Sequence, residues 1–179
     1  MRIAAFKSVG GFDASLIAGE EPELCFRLRE RGHRIERIAA EMTIHDAALS
    51  RFSQWWRRAL RAGHAYSENF ALHGASPERF RARELRSIVA WGTALPLAAI
   101  ALALTTRGVS LLAALGLYAL LFLRVCTARR RSGTSLPDAA WYALFVVVGK
   151  WAQATGAAWY CWNRALGRHA TLIEYKRSG

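Results

Sequence analysis

Hydrophobic and polar positions change period along the chain, and those changes divide it. Residues 87–106 (SIVAWGTALPLAAIALALTT) run without a charge. At about 1.5 Å per residue, the run can cross a hydrocarbon core of about 30 Å. Pro96 predicts a kink inside it, which membrane helices tolerate. Arg107 and Gly108 predict a tight turn. Residues 109–123 (VSLLAALGLYALLFL) are again uncharged, and extend towards Ala128 if Arg124 snorkels. Together these runs predict a helical hairpin. A third apolar stretch, 139–149, is interrupted by Lys150 and Gln153. Trp141, Trp151, Trp159 and Trp162 recur through and beyond it, as side chains do at a membrane–water interface. It either spans, or lies in the interface or re-enters; the basic tail after it favours the second placement.

The first 84 residues pattern differently. Residues 22–31 predict a short helix with acids in its first turn, Pro22 at the first helical position and Gly32 just past the end. Residues 33–44 contain HRIERI and EMTIH, whose near-alternating β-branched positions predict one or two strands. Residues 50–72 predict an amphipathic helix, with Phe52, Trp56, Ala59, Gly63, Tyr66 and Phe70 along one side. The expected fold class is therefore an α/β fragment followed by α-helical membrane segments.

Charge places these parts relative to a bilayer. The net charge is +12. The first 86 residues hold 15 basic and 11 acidic side chains, and the remainder 10 and 2. Low acid with clustered arginine beside apolar runs points to a membrane protein and away from a nucleic-acid partner. Arg79, Arg81, Arg83 and Arg86 precede the hairpin, Arg124 and Arg129–Arg131 finish it, and only Arg107 lies on the far side. Both flanks are thus expected in the cytoplasm, on a multi-pass protein of the inner membrane, with Arg129–Arg131 meeting anionic lipid. Cys25, Cys126 and Cys161 are odd in number and far apart, giving neither a disulfide framework nor metal-ligand spacing.

Candidate chemistry concentrates between Gly10 and Gly32, GGFDASLIAGEEPELCFRLRERG. Glu20, Glu21 and Glu23 gather there around Pro22. They fit helix capping, because free N–H groups and the helix dipole stabilise carboxylates at an N-terminus. They equally fit a general base, since a glutamate is ionised at neutral pH and can take a proton from an attacking hydroxyl.

The segment from Phe6 to about Asp46 resembles the stretch of family 2 glycosyltransferases written VGGFDE…GEDxDLCxRLRxxGYRI. The resemblance implies a GT-A type nucleotide-sugar domain of which residues 1–84 are the acceptor-side part. Residues 85–128 would be the membrane hairpin. Residues 129–179 would be a basic loop, a spanning or interfacial helix at about 138–163, and a basic tail. It implies Glu21 as catalytic base, where Asp is the common residue, with Glu20 beside it. Gly11, Asp13, Glu23 and Arg27 would bind substrate. His45, in TIHD, would stand on the metal side, with Mg²⁺ or Mn²⁺ expected in the complete enzyme. QWWRR resembles the QxxRW motif of processive members, so Gln54, Arg57 and Arg58 are further substrate-binding candidates, with Arg58 where Trp is expected. The other reading of QWWRR is a bilayer-surface helix.

The implied reaction is inverting transfer from a nucleotide sugar to a lipid-linked or polysaccharide acceptor. A Gly-rich nucleotide-binding start and a DxD element are missing from the sequence, so the chain reads as a C-terminal portion, with a separate nucleotide-binding half as an expected partner. The alternative is a non-catalytic membrane scaffold that binds anionic lipid or another subunit.

Overall fold

A computed structural model describes residues 2–36 and 49–168. Its helices are α1 (Ile3–Ser8), α2 (Glu20–Glu30), α3 (Phe52–His73), α4 (Ala82–Val89), α5 (Leu95–Ala101), α6 (Val109–Arg131) and α7 (Leu136–Ala165), with a π-helical turn, Ala90–Ala94, joining α4 to α5.

The α/β expectation is overturned. Among the described residues there is no strand and no sheet, and helix takes 72% of them. The alternation at 33–44 and the resemblance to a GT-A type domain were its support. Residues 33–36 form irregular chain, and 37–44 lie outside the described residues. A β-branched run makes a strand only when a neighbour supplies the hydrogen-bond ladder, and the segments around it are helical.

α2 begins two residues earlier than the proline implied. Gly19 caps it in the left-handed conformation, φ +82°. Pro22 is then the third helical residue, and its missing N–H is one of the four that lack an intrahelical partner at any helix start. The other end follows expectation. Gly32, φ +77°, donates to the Arg29 carbonyl and His33 to that of Leu28, two bonds that close the helix around a left-handed glycine.

α3 and α7 form the central pair and run in the same direction. Trp55 packs on Phe145 with centroids 4.8 Å apart, while nine residues later His64 meets Trp159 and Tyr160 at 5.5 and 5.2 Å. The seam is built from glycine. A Cβ on Gly63 would overlap the Gln153 carbonyl, and one on Gly156 would overlap that of Leu60. The buried residues of α3 are accordingly Gly63, His64, Ala65, Ser67 and Asn69. The anticipated side lies partly on this seam: it includes Gly63, and Tyr66 packs against the cluster of Ile88, Ala154 and Ala157, while Phe52 is 59% exposed.

The first apolar run is less uniform than its sequence. Helix stops at Ala101, and turns carry the chain to Gly108. Ahead of Pro96 the helix widens into the π turn, where Leu95 N–H bonds to the Ala90 carbonyl, five residues back. In that register the Trp91 carbonyl would need an N–H from Pro96, which has none. The Tyr118 hydroxyl of α6 donates to it instead, and itself accepts from Trp151 Nε1 of α7 at 3.0 Å.

α6 is long and apolar enough to cross a bilayer, with mean hydropathy 2.1 over its apolar window and only 11% of that window buried. Leu112, Leu115 and Leu120 are each more than 60% exposed on it. An apolar surface of this extent is what a membrane-associated chain presents.

Candidate functional site

The acidic segment separates into two groups with different partners. Gly10 and Gly11, at φ +81° and +74°, turn the chain after α1 so that the Val9 and Gly11 carbonyls accept from the Arg27 guanidinium, the latter at 2.7 Å. The same guanidinium meets both oxygens of Glu23 at 2.7 Å, one turn back on α2. His73, at the end of α3, brings Nε2 to 2.8 Å from Glu23 Oε1. Glu23 is only 2% exposed, and its hydrogen bonds, with its charge, raise the Arg27 pKa further. Beneath them the Phe26 ring lies 4.5 Å from His73 and 4.8 Å from Phe80. Gly11, Glu23 and Arg27 therefore make a clamp that fastens the glycine loop and α2 to α3.

The loop from Asp13 to Gly19 is fixed in turn. The Asp13 carboxylate accepts from the Ser15 N–H at 2.9 Å and hydroxyl at 2.6 Å, bonds that hold its pKa below the usual value. Buried Ile17 accepts from Arg61 through its carbonyl at 2.6 Å. Gly19 takes a left-handed φ of +82° that favours glycine, and a Cβ there would stand 2.9 Å from Asn69 Nδ2 of α3.

Glu20 and Glu21 emerge from this support exposed, on the first turn of α2, where no side chain caps the helix. Their backbone N–H groups are among those a helix start leaves unpaired. A carboxylate beside such donors can bind and deprotonate a hydroxyl. Glu23 lacks that freedom, because both its oxygens are already engaged.

Beside the loop lies a polar cavity of about 330 Å³, lined by Ser15 and Ile17, by His64 and Glu68 of α3, and by Asn163 and Arg164 near the end of α7. His64 is 1% exposed, with neither ring nitrogen hydrogen-bonded, and Glu68 Oε2 is also buried without a partner. Nδ1 and Oε2 are 3.8 Å apart, too far for a hydrogen bond. Burial lowers the His64 pKa and raises that of Glu68, against the opposing pull of the Ile17 N–H. Both shifts are in the direction of the neutral forms. Sequence reasoning missed these two residues. The available signal was an imidazole and a carboxyl at i, i+4 on a helix whose neighbouring positions are small and apolar.

The QWWRR group stands apart. Gln54 Oε1 accepts from the Ser50 and Arg51 N–H groups, both at 3.1 Å, and so caps α3. Arg57 is exposed, and Arg58 lines a second cavity of about 360 Å³ with Trp55, Phe145, Lys150 and Gln153. From Arg58 to Asn69, which touches Gly19, is about 16 Å along the helix. The structure thus gathers Gly11, Asp13, Glu20, Glu21, Glu23 and Arg27 at one end of α3, and leaves Gln54, Arg57 and Arg58 at the other. His45 lies outside the described residues. Among the described residues no three His, Cys, Asp or Glu side chains group as metal ligands.

Comparison with known proteins gives a partial match. Over 77 residues the chain is 34% identical to the succinoglycan biosynthesis protein ExoA of Rhizobium meliloti (strain 1021), a stretch covering 43% of this chain and 23% of that protein. The chain thus spans about a quarter of that relative's length. No family model matches the sequence, and no solved structure matches the fold.

Proposed function

We propose that the chain is the acceptor-side, membrane-associated part of a glycosyltransferase of polysaccharide biosynthesis, of the family 2 type. The observation that carries this reading is the exposed Glu20–Glu21 turn, held by the Arg27–Glu23–His73 clamp and by the seating of Gly19 on Asn69. The partial likeness to a succinoglycan biosynthesis protein supports the same direction.

In this reading Glu21 takes the proton from an acceptor hydroxyl as that oxygen attacks the anomeric carbon of a nucleotide sugar, inverting it. The glycosidic bond forms as the bond to the diphosphate breaks. Glu20 supports the charge of the turn. Arg57 and Arg58, about three turns along α3, serve the diphosphate or a long acceptor rather than the reacting hydroxyl. The donor nucleotide is bound by a separate half, and any divalent cation is held there or near His45; no step assigned to Glu21 depends on it. The acceptor is lipid-linked or a growing glycan, delivered at the cytoplasmic face of a multi-pass inner-membrane protein.

The test is transfer of labelled sugar from a panel of nucleotide sugars by membranes containing the chain together with its nucleotide-binding half. Glu21→Gln is expected to lower turnover by about 10²- to 10⁴-fold, with the folded amount unchanged. Undiminished transfer would remove Glu21 from the role of base. No transfer above background from any donor, with the native chain folded, would favour the non-catalytic scaffold.

A further inference from the structure

α4, the π turn, α6 and α7 line an open cavity of about 560 Å³ beside the arginine-rich end of α6. Three guanidinium side chains line it, Arg83 from α4 and Arg124 and Arg129 from α6, and no carboxylate does. Arg129 is held over the Tyr142 ring at 4.3 Å. Among the described residues, the Arg83 and Arg124 side chains have no hydrogen-bond or ion-pair partner. An apolar wall beside them is formed by Trp91, Leu121 and Val125. It continues along α6 onto the exposed side chains of Leu120 and Leu123.

Three like charges around one cavity repel unless an anion joins them. Guanidinium groups suit phosphate oxygens through charge-assisted, paired bonds. A free phosphate would use the cationic side and leave the apolar wall wet. A phospholipid uses both, its phosphate among the arginines and its acyl chains along α6. The position fits as well, because arginines at the end of an apolar helix mark the headgroup level. We propose that this cavity is a binding site for one anionic phospholipid, independent of any sugar-transfer role.

The experiment uses the full chain in nanodiscs of phosphatidylcholine with a minor fraction of phosphatidylglycerol. Lipid retained on release is read by native mass spectrometry. Phosphatidylglycerol with brominated acyl chains is then used to quench tryptophan fluorescence. Retention of phosphatidylglycerol over phosphatidylcholine is expected to fall about tenfold in Arg83→Gln/Arg124→Gln, and to persist in Arg79→Gln/Arg86→Gln, which removes equal charge outside the cavity. The quenching is expected to lose its Trp91 component in Trp91→Phe. Equal loss in both charge variants would overturn the site in favour of diffuse surface attraction. Inorganic phosphate raising the melting temperature of the lipid-free chain as much as phosphatidylglycerol does would overturn it in favour of a simple anion site. If the glutamine variant does not fold, Arg83→Lys/Arg124→Lys, which keeps charge but loses paired bonding, decides by the same retention. Retention at the native level in that variant would also overturn the proposal.

Discussion

The Tyr118 hydroxyl of α6 donates to the Trp91 carbonyl inside the π turn. That carbonyl has no backbone donor available, because the residue in register to supply it is Pro96. One side chain therefore makes the widened turn tolerable in an apolar setting, and through Trp151 Nε1 it ties α7 to the same point. Tyr118→Phe keeps the ring and removes the hydroxyl. It should cost about 1–3 kcal/mol, the usual penalty for an orphaned buried acceptor, read as a lower unfolding midpoint in detergent. A midpoint equal to wild type would show that the turn does not need the hydroxyl.

Three glycines differ in what a methyl group would meet, which makes a graded test of the α3–α7 seam. At Gly63 and Gly156 the added atom strikes backbone carbonyl oxygen of the facing helix, which cannot rotate away. Gly63→Ala and Gly156→Ala should each destabilise by about 3 kcal/mol, at or beyond the upper range for overpacking. At Gly116, on α6, nothing lies within 4 Å. Gly116→Ala should be neutral or stabilise by up to about 1 kcal/mol through helix propensity. Chemical unfolding of the three purified variants in one detergent provides the comparison. Equal effects at all three positions would refute the close approach.

Glu21 and Glu23 stand two residues apart and should respond oppositely to the same substitution. Glu23→Gln withdraws the charge that Arg27 and His73 converge on, and breaking such a buried pair costs about 3 kcal/mol. Its signature is reduced folded protein, with any remaining activity per folded molecule near normal. Glu21→Gln alters an exposed side chain and should leave the unfolding midpoint within about 0.5 kcal/mol of wild type. A stable Glu23→Gln protein would mean that the clamp does not hold the loop.

These contrasts show which features local sequence carries. The closure of α2 at Gly32 was legible because its bonds run between neighbours. The start of α2 was not, since a left-handed Gly19 is selected by contact with Asn69, far along the chain. The separation of Glu23 from Glu20 and Glu21 depends on His73, 50 residues away. The anticipated strands do not begin in the described residues 33–36 for a related reason: alternation records a preference for one exposed face, whereas a strand exists only with a partner. On α3 the anticipated side holds Gly63 of the seam and Tyr66, while Phe52 at its start is exposed. Two glycines let the backbones approach more closely than any aromatic seam allows. The acids at a helix start were readable as such, while the His64–Glu68 cavity was assembled by the loop and α7 together.

That cavity makes stability depend on pH in a way two variants can separate. The His64 pKa is lowered from near 6.5 in the fold, so the unfolded chain takes up the proton first. Its contribution is complete above about pH 6.5 and is lost as pH falls through the folded value. Glu68 has the opposite sign. Its pKa is raised from near 4.5, so its contribution is complete below that pH and is lost as pH rises through the folded value. His64→Gln should therefore flatten the fall in unfolding midpoint between pH 7 and pH 5, while Glu68→Gln should raise the midpoint at pH 7 and leave the acid-side fall in place. Thermal unfolding at pH 5, 6, 7 and 8 reads both. If His64→Gln keeps the full acid-side slope, the imidazole is not held neutral by burial, and the cavity must already hydrate or pair it.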